Sequence, residues 1–169
     1  MSREHRAESL SVHSLLHPDT IAVIGAGRRK DSFGRLVLDH ILDAGFTGTV
    51  HPVNPHVRTL RRRTAYPRVS DVPGTVDLAV VAVPAGAVLD VVDECAEAGV
   101  KALLVVSAGF AEAGDDGAAL QAELLRRARR SGMRVVGPNS FGVINNDPSV
   151  RLNASLAPLA LAAVRAGKH

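Results

Sequence analysis

The stretch Thr20-Ile-Ala-Val-Ile-Gly-Ala-Gly-Arg-Arg-Lys-Asp-Ser-Phe-Gly34 decides the fold. Ile21 to Ile24 is a short apolar run of the kind buried on both faces of a parallel sheet. Gly25 and Gly27 lack a Cβ, so the backbone there can turn tightly and approach a ligand closely. Leu36, Val37, Ile41 and Ala44 follow at helical spacing, and Gly45 is placed to end that helix. A strand, a Gly-rich turn and a helix in this order aim free N–H groups and a positive dipole end at whatever lies over the turn. Such a site favours phosphate. The expectation is a nucleotide-type ligand held at this turn.

Two details separate the stretch from a nicotinamide site. The dinucleotide fingerprint is G-x-G-x-x-G, with an acidic residue about 20 positions further on. Gly25 and Gly27 fit, but Lys30 stands where the third glycine belongs. The second strand, Gly48 to Val53, runs into Asn54-Pro55-His56, with no carboxylate. Pro52 within it predicts a short or edge strand. The loop instead carries Arg28, Arg29 and Lys30, which suit a ligand richer in phosphate than NAD. The same trio also fits a solvated turn.

Beyond this stretch the pattern repeats. Val76 to Val83 reads as a strand stopped by Pro84, and Ala85 to Ala98 as a helix ended by Gly99. Lys101 to Ser107 is the next strand, and Asp115 to Arg130 a helix with Leu120, Leu124 and Ala128 inward and Gly132 after it. Met133 to Gly137 is a fifth strand, and Val143 to Asn145 fits a sixth. Arg58 to Arg63 is a basic segment around an exposed turn, and Val69 to Val72 a brief helix or turn. Five alternations of strand and helix predict an α/β fold: a Rossmann-like, doubly wound parallel sheet in three α/β/α layers. Ligands then sit beyond the carboxyl ends of the strands. The loops at that edge are 25–30, 54–58, 84–86, 107–110 and 138–142.

Composition narrows the function. At 169 residues, 46% of them apolar, the chain holds one well-cored domain. Four Phe, one Tyr and no Trp argue against a base-stacking surface, and no Lys/Arg face is long enough for a duplex, so no nucleic-acid partner is expected. Cys95 is the single cysteine and reads as a small core residue, which excludes an internal disulfide and a Cys-based zinc site. His5, His13 and His17 lie too near the chain end to read as metal ligands. No apolar run reaches the roughly 18 residues of a membrane span, and no signal segment is evident. A cytoplasmic protein without membrane partners is expected. The organisation expected is a flexible segment 1–14, a domain 15–157 and a tail 158–169 whose apolar side, from Leu156 to Val164, seeks cover.

Five short motifs occur in one order: Ile-Ala-Val-Ile-Gly-Ala at 21–26, Val-Asn-Pro at 53–55, Ala-Val-Pro-Ala at 82–85, Val-Ser-Ala-Gly-Phe-Ala-Glu at 106–112 and Gly-Pro-Asn at 137–139. Together they resemble the coenzyme A-binding domain of NDP-forming acyl-CoA synthetases, including the succinyl-CoA synthetase alpha subunit. The resemblance implies coenzyme A or acyl-CoA as the ligand. It implies that Gly25, Ala26, Gly27, Arg28, Arg29 and Lys30, with Ser32, Phe33 and Gly34, hold its phosphates. Asn54, Pro55, His56 and Arg58 would reach the adenosine end. Val106, Ser107 and Ala108 would line the pantetheine path, with Val83 and Pro84 also in contact, and Asn139 and Ser140 would sit near the thioester.

The chain departs from the family at several points. His56, Val57 and Arg58 stand where the family often has a lysine, so phosphate contact there passes to Arg58 or weakens. Ser140 stands where the family frequently has Cys, and no paired base marks it as a nucleophile. The family's phospho-histidine lies in a second domain, and an ATP-grasp unit makes its phosphate; no histidine here matches that motif. His40 is expected to face out of its helix and His51 lies in a strand. The expectation is therefore a CoA-binding module of, or derived from, an acid–thiol ligase, with no catalytic or metal-binding residue of its own and an ATP-grasp unit as partner. Two other classes fit the fold: an NAD(P)-binding redox or sensor domain, and an interaction subunit whose site has decayed.

Overall fold

The computed structural model describes residue 9 and residues 12–157. Most of the expected segment 1–14 and the tail 158–169 lie outside them. Residues 12–16 are helical and carry buried Ser14 and Leu15, so the expected boundary at 14/15 falls inside an element.

β1 (Thr20–Ile24) contributes side chains to both halves of the core. Its side chains alternate, as a strand requires. Ala22 and Ile24 enter one apolar cluster, while Ile21 and Val23 enter the other. After α1 (Phe33–Asp43), β2 (Thr49–Val53) pairs in parallel with β1, and Pro52 sits opposite Val23. β2 is an edge strand, where a missing N–H is tolerated. A short hairpin, β3 (Thr59–Leu60) and β4 (Arg63–Thr64), and a 3-10 turn at Val69–Asp71 lead to β5 (Leu78–Val81). Then come α2 (Ala85–Glu97), β6 (Ala102–Val105), α3 (Asp115–Arg130) and β7 (Arg134–Val136). The sheet is parallel with order β2-β1-β5-β6-β7. Chain direction across the sheet reverses at β1, so the crevice between the loops after β1 and β5 is the switch point where such sheets bind ligands.

The brief helix or turn expected at Val69 to Val72 forms as the 3-10 turn at Val69–Asp71, after the hairpin, between β2 and β5. Two expectations need correction. The sixth strand forms as β8 (Gly142–Asn145) but does not join the sheet. It pairs antiparallel with β9 (Leu152–Ser155), a strand the sequence did not announce. This ribbon lies with α1 on one face of the sheet, while α2 and α3 cover the other. His40 does not face outward either. Its Nδ1 lies 2.7 Å from the Ser155 carbonyl, which ties α1 to the ribbon.

Val37, Leu38 and Ile41 of α1 are fully buried, worth about 1.5–3 kcal/mol each. That outweighs the ~1 kcal/mol of an N-cap bond. The helix is therefore held by its packed face and does without a side-chain cap at Ser32 or an acid in its first turn. α3 shows the opposite bias, with Asp115 and Asp116 at its start and Arg127, Arg129 and Arg130 at its end, as its dipole favours.

Candidate functional site at the carboxyl edge

The β1 loop is built by two close approaches. Gly25 has a φ of 97°, and a Cβ there would strike the Ala82 carbonyl oxygen at the end of β5. Gly34, the second residue of α1, lies against the same turn. A Cβ on it would come within 2.8 Å of the Ala26 nitrogen and of the Gly25 carbonyl. The third glycine of a fingerprint serves close helix–strand packing. Here Gly34 does that work, four positions after Lys30, because the loop is longer. Gly34 is buried and acts on the β1 loop through packing.

The loop's carbonyls are turned toward α1. Ser32 donates from both its amide and its hydroxyl to the Arg29 carbonyl, at 3.3 and 2.8 Å. Arg35 directs Nη1 at the carbonyls of Gly27 and Arg28, at 3.5 and 3.4 Å. In a trans peptide the carbonyl and the next N–H point opposite ways. The amides of Arg28, Arg29 and Lys30 are thereby aimed away from α1. Among the described residues, the amides from Ala26 to Asp31 have no protein acceptor. The uncapped first turn of α1 adjoins them. Arg28, Arg29 and Lys30 are exposed; among the described residues only Arg29 is paired, with Asp31 at 3.4 Å, a solvent-screened contact of little energy. Sequence reasoning missed Arg35; its lone signal was a cation in the first turn of a helix, where the dipole disfavours one.

The neighbouring loops use several expected ligand residues internally. Asn54 donates Nδ2–H to the Ala26 carbonyl at 3.0 Å and accepts the His56 amide at 2.8 Å, which locks the β2 loop to the β1 loop. Pro55, His56 and Arg58 are exposed beside it. Ser107 is buried and donates its hydroxyl to the Val83 carbonyl at 2.5 Å, bracing the end of β5. Val106 is buried as well, so of the expected pantetheine-lining stretch only Ala108 is exposed. Val83 is half-buried and Pro84 exposed. The Glu112 carboxylate accepts the amides of Gly109 and Phe110, and Gln121 accepts that of Ala111. The Phe110 amide, with its neighbours, holds the Glu112 carboxyl below its usual range. The amides of Gly109, Phe110 and Ala111 in the β6 loop are thus taken up by side chains of that loop and of α3, while those of the β1 loop are not. Asn139 is exposed with a φ of 54°, and its amide donates to the Ser107 carbonyl at 2.9 Å. The Ser140 hydroxyl accepts the Gly142 amide at 3.1 Å.

The basic segment splits in two. The β3–β4 tip carries Arg61 and Arg62, both at positive φ. Arg61 reaches Asp39 at 2.6 Å and Asp43 at 3.0 Å. Asp39 and Asp43 lie about 9 and 15 Å along α1 from its first residue. This arginine is therefore neutralised below the carboxyl edge, whereas Arg58 is exposed at the β2 loop.

Comparison with known proteins agrees with this geometry. The family model described as "CoA binding domain" matches residues 19–146. The chain is 36% identical over 148 residues to the ADP-forming acetate–CoA ligase II of Archaeoglobus fulgidus, covering 88% of this chain and 22% of that protein. It is 35% identical over 153 residues to subunit alpha of the ADP-forming acetate–CoA ligase I of Pyrococcus furiosus, covering 88% and 33%. Among solved structures, the dinucleotide-forming acetyl-coenzyme A synthetase 1 of Ca. Korarchaeum cryptofilum, in complex with phosphate and ADP, superposes with a TM-score of 0.82 at 44% identity, over 88% of this chain and 31% of that one. The chain thus spans a third or less of the length of these relatives. With the matched model covering most of its length, the chain belongs to the CoA-binding domain family, and it is similar to that part of ADP-forming acyl-CoA synthetases.

Proposed function

We propose that the chain binds coenzyme A or acyl-CoA at the carboxyl edge of its sheet and serves as the CoA-holding part of an acyl-CoA synthetase. One observation carries the reading. At the switch point of a CoA-binding fold, a run of backbone amides without protein acceptors is flanked by exposed Arg28 and Lys30 and by the first turn of α1. Amides and cations converging on one place suit phosphate. In this reading the β1 loop takes the diphosphate, and Arg58 and His56 face the adenosine end. Ala108 and Asn139 lie along the pantetheine arm. The residues present supply binding and orientation; acyl activation belongs to an ATP-grasp partner. A cytoplasmic location is part of the same proposal. No helix among the described residues is long and apolar enough to cross a membrane.

The test is thermal unfolding with CoA, dephospho-CoA, NAD, NADP and ATP side by side, since a ligand bound only by the folded state raises the midpoint. The expected result is a rise with CoA that shrinks with dephospho-CoA. A rise with NAD or NADP and none with CoA would replace the proposal with a nicotinamide site. No rise with any ligand would leave a fold whose role is interaction.

A further inference from the structure

We propose that Arg35, Asp39 and Arg61 form a clamp that fixes the shape of the β1 loop, which makes Arg35 a positioning residue for the bound phosphates. The inference rests on the reading of that loop as the CoA phosphate site. Arg35 is mostly covered, with 12% of its side chain exposed. Its Nε donates to both Asp39 oxygens, at 2.9 and 3.1 Å, and its Nη1 faces the Gly27 and Arg28 carbonyls. Asp39 also accepts Arg61 from the hairpin tip, and Arg61 extends to Asp43. One carboxylate thus joins the phosphate loop, α1 and the hairpin.

Helix stability does not account for this arrangement. Arg35 is the third residue of α1, at the positive end of the dipole. An arginine four residues before an aspartate is also the weaker order for a helical ion pair. Arg61 and Arg62 hold left-handed backbone, with φ of 51° and 59°, which bulky residues adopt only when their surroundings hold them there. What the cluster achieves is geometric. Asp39 fixes the guanidinium plane, and the guanidinium draws in the Gly27 and Arg28 carbonyls. The Arg28 and Arg29 amides, on the far sides of those peptides, are then set outward before any ligand arrives. A pre-set loop loses less entropy on binding.

The experiment compares wild type, Arg35→Ala, Arg35→Lys and Asp39→Asn by CoA calorimetry and by amide chemical shifts of Arg28 to Lys30 in the free protein. Arg35→Ala is expected to weaken CoA binding about tenfold, the loss of one charge-assisted contact, with those amide signals displaced. Arg35→Lys should recover little, because an ammonium cannot bridge a carboxylate and two carbonyls in one plane. Asp39→Asn, which keeps the side-chain shape and serves if Arg35→Ala does not fold, should displace the same amides. Millimolar guanidinium should restore part of the affinity of Arg35→Ala, which a general loss of structure would not allow. A wild type that binds CoA alongside an Arg35→Ala of equal affinity and unmoved amides would overturn the clamp. A wild type that does not bind CoA would overturn the site reading instead. The amide shifts would still decide whether the clamp sets the loop.

Discussion

Gly34→Ala isolates the packing of α1 against the β1 loop. Alanine normally stabilises a helix over glycine by about 0.5–1 kcal/mol. At position 34 the added methyl would lie 2.8 Å from the Ala26 nitrogen and the Gly25 carbonyl, where ordinary contact begins at 3.4 Å. All of those atoms are backbone, so none can rotate away; helix or loop must shift by about 0.6 Å. Overpacking of this kind costs about 1–3 kcal/mol, which matches or exceeds the propensity gain and leaves a net loss of up to about 2.5 kcal/mol. In a chain of this size that lowers the melting midpoint by up to roughly 10 °C. The matched control is Gly86→Ala. Gly86 is likewise the second residue of its helix, and nothing lies within 4 Å of its Cβ position. That variant should hold or gain stability. Denaturant melts give the stabilities and calorimetry gives CoA affinity, which should fall for Gly34→Ala because the strain lands on the loop. A Gly34→Ala protein as stable as Gly86→Ala, with wild-type affinity, would refute the argument.

Three further outcomes are expected. Asn54→Ala removes the tie between two edge loops and should cost about 1 kcal/mol in a denaturant melt, with a several-fold loss of CoA affinity by calorimetry. Burial pushes the Asp77 carboxyl up, but the Lys101 hydrogen bond and the Thr20 and Asp19 amides outweigh it and hold the value below the usual 3.8. Because the folded value is the lower one, its stabilisation is present above the unfolded value and is lost as pH falls through the folded one; Asp77→Asn should lower stability at neutral pH and flatten the acid limb of a stability–pH curve. Burial pushes the Cys95 thiol up to about 12, so a thiol reagent at neutral pH should label it only at the rate of global unfolding.

Elements whose residues act through local chemistry were legible in the sequence. Asp115 to Arg130 forms α3 with those bounds, because acids at its start, arginines at its end and apolar residues at helical spacing agree. The glycines expected to end the three helices, Gly45, Gly99 and Gly132, all take left-handed backbone. The β3–β4 hairpin was hidden because its two-residue turn is Arg61-Arg62, where Asn-Gly would have announced it; Asp39 and Asp43, far away in sequence, hold it there. β9 was hidden for a related reason. Leu152, Asn153, Ala154 and Ser155 are all buried, and alternation assigns Asn153 and Ser155 to solvent. In the fold the Ser155 hydroxyl donates to Asn153, so a polar pair is satisfied partly within the strand. At the site, glycine positions and loop order could be read. The internal use of Asn54, Ser107 and Ser140 could not, since their partners are carbonyls and amides that only the fold brings near.

The two edges of the sheet differ in what their polar groups do. At the amino edge Asp77 takes the Asp19 and Thr20 amides and Lys101, and the Asp19 carbonyl takes the Thr49 amide. Those groups close off the amino ends of β1, β2, β5 and β6 and serve stability. At the carboxyl edge Arg28, Lys30 and Arg58 are exposed and, among the described residues, in no ion pair. Two of them stand by the positive end of α1, where a cation is unfavourable. Asp31, the carboxylate of the same loop, is paired with Arg29, while Asp39 and Asp43 engage Arg61 further down α1 and Glu112 is held by its own loop. The fold thus gathers exposed cations at one edge with a single loop carboxylate beside them. A polyanion removes their mutual repulsion and satisfies the open amides in the same step, which is the physical basis for proposing this edge as the place where CoA is held.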